Sequence, residues 1–252
     1  MSNHDTLPER LAEAIRTRTA MAPDADDLGV AQAYELQDEC IRLLGRRPVA
    51  AKLGLTSVAK QQQMNVSEPA YGWLLEGSRI EPGEALHCGE LIQPRVEPEI
   101  AFLVGRELSG PDVTATEVLA ATTAVMPAID VLDSRYAGYK FTLPAVIADN
   151  ASSAKYALGT PTPVDGLDLR LLGCVFEVNG ELVATAAGAA VLDHPAAAVA
   201  WFVRSLHERG RTLPAGTVVL SGALTAAHAV SPGDVVHVTI DRLGPLELRC
   251  EE

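Results

Sequence analysis

The stretch QPRVEPEIAF, residues 93–102, carries Glu97 and Glu99 two positions apart among Val96, Ile100 and Phe102. Read as a β-strand, it turns both carboxylates to one face, because side chains at i and i+2 point the same way. Val96, Pro98, Ile100 and Phe102 take the other face. At ordinary strand rise the two glutamates stand ~6–7 Å apart. Carboxylates that close repel unless water screens them or a cation joins them. On the residues alone two readings stay open: solvated glutamates at a strand edge, or a pair of oxygen ligands for a hard cation such as Mg²⁺, which keeps water positions for a substrate. A third acid favours the metal. PAIDVLDSRY supplies Asp130 and Asp133, three apart on a strand, so they face opposite ways and only one can join the glutamates.

A second unusual residue is Lys52, inside the apolar run VAAKLGL (49–55). A lysine there needs a partner or a task; beside a metal and an anionic substrate it can bind a carboxylate or move a proton. The competing reading is a lysine that snorkels to the surface. ADNASSAKYALG (148–159) opens without apolar pattern, as a turn rich in hydrogen-bonding groups.

The elements that must position these residues follow from pattern. Residues 7–18 read as a helix, with Thr6 able to cap and Pro8 in the first turn; 28–44 read as another, stopped by Gly45. They make an N-terminal helical subdomain over 1–47, followed by a β-rich catalytic domain over 48–252. Strands are expected at 49–55, 100–104 and 127–133, with a helix over about 115–125, capped by Thr114, between the last two. Residues 171–192 form a hairpin about Asn179–Gly180. A helix over 194–209 takes Asp193 as its cap and Gly210 as its stop, and TVVLSG, DVVHVTID and PLELRC close the chain as strands. His194 and His228 read as structural. There is no strict βαβ alternation, so the fold class is α+β with a mostly antiparallel or mixed sheet.

The chain has 252 residues and a formal net charge of −13, with acidic residues spread throughout. That disfavours nucleic acid and anionic membrane surfaces as partners. No apolar run approaches the ~20 residues of a bilayer span. The four cysteines, Cys40, Cys88, Cys174 and Cys250, lie far apart without zinc spacing, and reduced thiols in a cytoplasmic protein are the expectation.

KLGLTS, PRVEPEIAF, PAIDVLDSRY, ADNASS and VLSGALTAAHAVSPGD, in this order and spacing, resemble the 2-oxopent-4-enoate hydratase / 4-oxalocrotonate decarboxylase group of the fumarylacetoacetate hydrolase superfamily. The resemblance runs over essentially the whole chain. It implies that superfamily's β-rich core of mixed, roll- or sandwich-like sheets, with a small helical N-terminal part, and a Mg²⁺ or Mn²⁺ site. Glu97 and Glu99 match the first two metal ligands, Asp130 the third, where the family normally has glutamate, and Lys52 the active-site lysine. Asp133 matches a separate aspartate of the family's DSR motif. Thr56, Ser57 and Ser153, within the shared motifs, are expected at the substrate. Arg135, Tyr136 and Lys140 are candidates for a distal carboxylate, against a reading as plain surface charge after a strand. The resemblance further implies a small 2-oxo acid substrate, a homo-oligomer, and association of decarboxylase with hydratase subunits.

Hydratases of the group carry an acidic residue where EPAYGWL has Ala70. The expected activity is therefore decarboxylation of 2-oxo-3-hexenedioate to 2-hydroxypenta-2,4-dienoate. The alternatives are a hydratase of that product or a related 2-oxo acid, and a non-catalytic partner subunit.

Overall fold

The computed structural model describes residues 7–22, 28–57, 61 and 68–252. Among these, strands assemble into two mixed sheets. The larger has the order β2-β1-β10-β5-β6-β7-β3, and β11 adds to β5 beyond the end of β10. Its strands are β1 (Pro48–Gly54), β2 (Ala70–Leu75), β3 (Arg79–Ile80), β5 (Arg95–Val104), β6 (Thr122–Leu132), β7 (Ser153–Leu158), β10 (Val218–Ala223) and β11 (His228–Ala229). The smaller runs β4-β13-β12-β8-β9, from β4 (Ala85–His87), β8 (Gly173–Val178), β9 (Glu181–Ala187), β12 (Val235–Ile240) and β13 (Gly244–Glu251). Neighbours are antiparallel except β1–β10, β3–β7 and β4–β13.

The larger sheet is apolar on both faces, which is why β5 and β6 read as nearly continuous hydrophobic runs. Ile100 and Phe102 of β5 point into the main core with Val125, Ile129 and Val131 of β6. Ala101 joins Met126, Ala128, Leu220, Ala50 and Leu74 in a smaller cluster on the opposite face. Glu97 and Glu99 lie four and two residues before Ala101, so by the period of two they continue this second face. Lys52 stands in the same relation to Ala50, and Asp130 to Ala128. The site is thus the polar end of a face whose other end is apolar.

Helix α1 (Leu7–Thr17) and helix α2 (Val30–Leu44) occur as expected, and Gly45 ends α2 in the left-handed conformation at φ 66°. Thr6, the expected cap of α1, lies outside the described residues. Leu7, Leu11, Ala33 and Tyr34 belong to the same apolar cluster as the sheet. Tyr34 stacks on Tyr71 of β2 with ring centroids 4.4 Å apart. Gln37 of α2 donates to Tyr71 O at 3.0 Å and to Ile147 O at 2.9 Å, tying α2 to helix α4 (Leu143–Ala148). The hairpin turns at Asn179 and Gly180, both at positive φ.

Two boundaries differ from expectation. Helix α3 (Ala115–Ala121) starts at the expected Thr114, which forms a reciprocal capping box with Glu117, but it stops before Thr122. The β-branched pair Thr122–Thr123 enters β6 instead, where such side chains pack better. Helix α5 (Pro195–Glu208) is capped by His194, not Asp193: its imidazole accepts from Ala196 N–H at 3.0 Å. All four cysteines are buried and unpaired with one another by disulfides. Among the described residues no helix is long and apolar enough to cross a membrane.

Candidate metal and catalytic centre

Register brings the acids together. Glu97 and Asp130 are direct partners across the antiparallel β5–β6 ladder, and Glu99 projects from the same face of β5. One carboxylate oxygen from each of Glu97, Glu99 and Asp130 lies within 4.8 Å of the other two. Glu99 and Asp130 are inaccessible and Glu97 is 6% exposed, which overturns the reading of solvated glutamates at an edge. Lys52 reaches them from β1. Its Nζ is 2.9 Å from Asp130 Oδ2 and donates to Ala151 O at 3.3 Å, with the side chain 2% exposed. The lysine therefore does not snorkel.

The electrostatics follow from burial. Desolvation alone would push the Lys52 ammonium down, yet Asp130, Glu97 and Glu99 together hold it above the ordinary lysine value. Glu99 is pushed well above the usual carboxylate range, first by burial and then by Asp130, against the opposing pull of Lys52. Three carboxylates facing one ammonium leave an excess of negative charge in a dry site. A divalent cation relieves it.

Glu99 is oriented by a bulge in β10. The β10–β5 register shifts between Leu220 and Ala223, and Gly222 N–H there donates to Glu99 Oε2 at 2.6 Å. Gly222 sits at φ 114°, and a Cβ on it would stand 1.9 Å from Thr56 Oγ1, so only glycine lets β10 approach there. The other oxygen, Glu99 Oε1, has no hydrogen-bond partner.

The other wall of the site is the ADNASS turn. Asn150, Ala151 and Ser152 all adopt positive φ, 53°, 51° and 56°. Such conformations persist only when the surroundings enforce them, and here they do. Asn150 grips the β2 backbone, accepting from Trp73 N at 2.7 Å and donating to Trp73 O at 2.8 Å. Gly72 gives the turn room, since a Cβ there would meet Asn150 O at 2.2 Å. Arg135 holds the turn from beneath through Asp149: its guanidinium donates to Asp149 Oδ1 and Asp149 O, and to Ser153 O at 3.1 Å. This fixes Ala151 O, the acceptor for Lys52.

The cavity at the acid cluster has a volume of about 90 Å³; Lys52, Glu97, Ser152 and Tyr139 are its polar side chains, and Leu55, Ala70, Leu132, Phe141 and Val146 supply most of its apolar wall. A larger cavity of about 360 Å³ lies against α1 and α2. The chemistry belongs to the smaller one, which Lys52 and Glu97 of the acid cluster line.

The structure unites Lys52, Glu97, Glu99 and Asp130. It does not bring the remaining site candidates to this cavity. Arg135 is 3% exposed, committed to Asp149, and faces the larger cavity. Ser153 donates to Trp73 O and faces that cavity too, while its neighbour Ser152 takes the place at the acid cluster. Thr56 is buried against Gly222, and Ser57 is half-buried beyond it. Tyr136 is buried and Lys140 exposed. Asp133 accepts from Ile92 N–H and Gln93 N–H, which removes it as a competing third ligand. Pattern reading missed Ser152, Tyr139, Phe141 and Val146; their only signal is proximity to the ADNASS and DSRY stretches.

The model of the family described as fumarylacetoacetate (FAA) hydrolase, C-terminal, matches residues 45–251. The chain belongs to the fumarylacetoacetate hydrolase family. Within the family it is 43% identical over 230 residues to a 4-oxalocrotonate decarboxylase of Pseudomonas putida, covering 90% of this chain and 87% of that one. It is 40% identical over 250 residues to a 2-keto-4-pentenoate hydratase of Paraburkholderia xenovorans strain LB400, covering 96% and 93%. The solved structure of a 4-oxalocrotonate decarboxylase from Pseudomonas putida G7, complexed with magnesium and adipate, superposes with a TM-score of 0.93 at 38% identity, over 97% of this chain and 96% of that one. The mixed-sheet α+β core expected from the sequence is the fold of this family.

The donor set suits the metal the family resemblance implies. It offers only carboxylate oxygens, with neither nitrogen nor sulfur, and it leaves Glu99 Oε1 without a hydrogen-bond partner. Hard cations such as Mg²⁺ and Mn²⁺ take such ligands.

Proposed function

We propose that this protein is a metal-dependent carboxy-lyase that converts 2-oxo-3-hexenedioate to 2-hydroxypenta-2,4-dienoate and CO₂. The observation that carries the reading is the buried Glu97–Glu99–Asp130 cluster with Lys52 at its edge, opening on an apolar wall. Glu97, Glu99 and Asp130 would hold Mg²⁺ or Mn²⁺. When bound there, the ion supplies Lewis acidity toward the 2-oxo acid end of the substrate.

The residues of the chain do the rest. The apolar stretch of the wall, Leu55, Ala70, Phe141 and Val146, would offer a distal carboxylate lying against it no cation and no hydrogen bond. A carboxylate there loses hydration, and leaving as neutral CO₂ relieves that cost. The C5–C6 bond breaks, and its electron pair moves through the conjugated double bond to the 2-oxo oxygen. Lys52, held by Asp130 and Ala151 O, stands as the ammonium that stabilises the developing negative charge and can deliver the proton that makes the product enol. No organic cofactor is required, because the conjugated ketone is itself the electron sink.

Hydratase activity is the second reading, favoured by 40% identity to a protein of that name. Ala70, inaccessible to solvent and part of the cavity wall, speaks against it. A methyl group stands where the hydratases of the group carry an acid able to activate water. We further propose a cytoplasmic homo-oligomer able to associate with a hydratase subunit, in keeping with the family resemblance.

The test is assay of the purified chain alone, with and without Mg²⁺, on 2-oxo-3-hexenedioate and on 2-hydroxypenta-2,4-dienoate. Decarboxylation should far exceed hydration. Faster hydration would reverse the ranking, and metal binding without turnover of either compound would leave the non-catalytic subunit as the reading.

A further inference from the structure

We infer that the larger cavity, separate from the acid cluster, is a binding site for a small carboxylate with an apolar body. Its volume, about 360 Å³, lies within the roughly 300–1,000 Å³ range of small-molecule sites. The floor is apolar, built from Ile41 and Leu44 of α2, Trp73 and Leu75 of β2, and Leu91.

The charges around this floor are unbalanced. Five cations, Arg16, Arg18, Arg46, Arg135 and Lys155, face three carboxylates, Glu90, Asp133 and Asp149. The carboxylates are already committed. Asp149 pairs with Arg135, Glu90 pairs with Lys155, and Asp133 accepts backbone N–H groups of Ile92 and Gln93. Arg16 has Glu13 at 3.8 Å. Arg18 and Arg46 reach only backbone carbonyls, at Gly89 and Glu76, and have no carboxylate ion pair among the described residues. Two exposed guanidinium groups that make no ion pair among the described residues, beside an apolar hole, stand out in a chain of net charge −13. They match an anion, and the floor requires that the anion carry an apolar body. A second observation agrees: Ser78, in the cavity wall and 1% exposed, has a hydroxyl without a hydrogen-bond partner.

The position places such a ligand behind the turn that walls the centre. Asp149, Asn150 and Ser153 line this cavity, whereas Ala151 and Ser152 of the same turn line the acid cluster. The two sites therefore share one wall, five residues long.

The test uses the Mg²⁺-loaded full chain carrying Trp201→Phe, so that Trp73 in the cavity wall is the remaining indole of the two in the sequence. Benzoate is the probe. It should change Trp73 emission saturably with a Kd of about 1 mM or tighter, and acetate should bind at least roughly tenfold more weakly. Arg18→Ala with Arg46→Ala should weaken benzoate about tenfold or more while leaving the neutral analogue benzyl alcohol unaffected; the Lys pair at the same positions should retain most of the affinity. Glu97→Gln with Glu99→Gln should leave the titration unchanged, which separates this site from carboxylate binding at the acid cluster and makes its outcome independent of the proposed activity. No saturable change, undiminished affinity in the Arg→Ala pair, or loss of binding in the glutamine pair would each overturn the inference.

Discussion

Lys52 and Asp130 form an ion pair at 2.9 Å in which the two side chains are 2% and 0% exposed. Removing one partner of a buried pair ordinarily leaves an uncompensated charge, but here Asp130 also belongs to an acidic cluster built to receive a cation. Lys52→Met keeps the stem and deletes the charge. The variant is expected to fold, to bind Mg²⁺ no more weakly than wild type because the ammonium no longer competes for Asp130, and to lose ~10²-fold or more in kcat. Steady-state kinetics beside metal calorimetry check this. Wild-type turnover in Lys52→Met would remove the lysine from the mechanism.

Glu99→Gln separates metal binding from folding. Burial already disfavours the Glu99 carboxylate, so a neutral amide should raise the melting temperature of the metal-free protein. Mg²⁺ should stabilise wild type by mass action and give little or no shift in the variant. Mg²⁺ affinity should fall by more than the about 10–100-fold that losing an outer hydrogen-bond partner costs. An unchanged Mg²⁺-induced shift would place the metal elsewhere.

Asp149 and Arg135 are a buried pair with a structural task. Asp149→Asn strands the guanidinium, and the expected loss is about 3–5 kcal/mol, read from urea unfolding. The double variant Asp149→Asn with Arg135→Met should lose less than the two single losses added, because the stranded charge is gone. Additive losses would mean that the two side chains do not act as a pair.

His194 makes stability depend on pH. Burial lowers its pKa below 6.5, and its ring nitrogen caps α5 only while unprotonated. A folded-state pKa below the unfolded one means that the contribution is present above 6.5 and is lost as pH falls through the folded value. A cation at a helix N-terminus adds to the loss. Acidification should therefore cost about 1 kcal/mol, the usual worth of a cap, in wild type but not in His194→Asn. Identical pH profiles of the urea midpoint would contradict this.

How much of this was legible before the structure depends on the range of the signal. The i, i+2 spacing of Glu97 and Glu99 is local and encodes a shared face directly, and the Thr114–Glu117 capping box and the Asn179–Gly180 turn are local too. The choice of Asp130 over Asp133 rested on the family resemblance, which matches Asp133 to the DSR aspartate; the ladder register that pairs Asp130 with Glu97 is visible only in the fold. Arg135 was misleading because charge after a strand does not reveal direction; its partner Asp149 is 14 residues away and becomes visible only when the turn folds back. The three consecutive left-handed residues at 150–152 carry no glycine to announce them. They are imposed by Asn150 on Trp73 and by the space at Gly72, contacts made across more than 70 residues of chain.

On this reading the chain, through a metal held by Glu97, Glu99 and Asp130, breaks a carbon–carbon bond to release CO₂. The most direct measurement is trapped CO₂ per molecule of 2-oxo-3-hexenedioate consumed by the purified protein, in Mg²⁺ and in excess chelator. Stoichiometric CO₂ is expected with Mg²⁺, and with chelator a rate indistinguishable from the protein-free control. Rapid CO₂ release that persists in chelator, or substrate loss with Mg²⁺ but without CO₂, would contradict it.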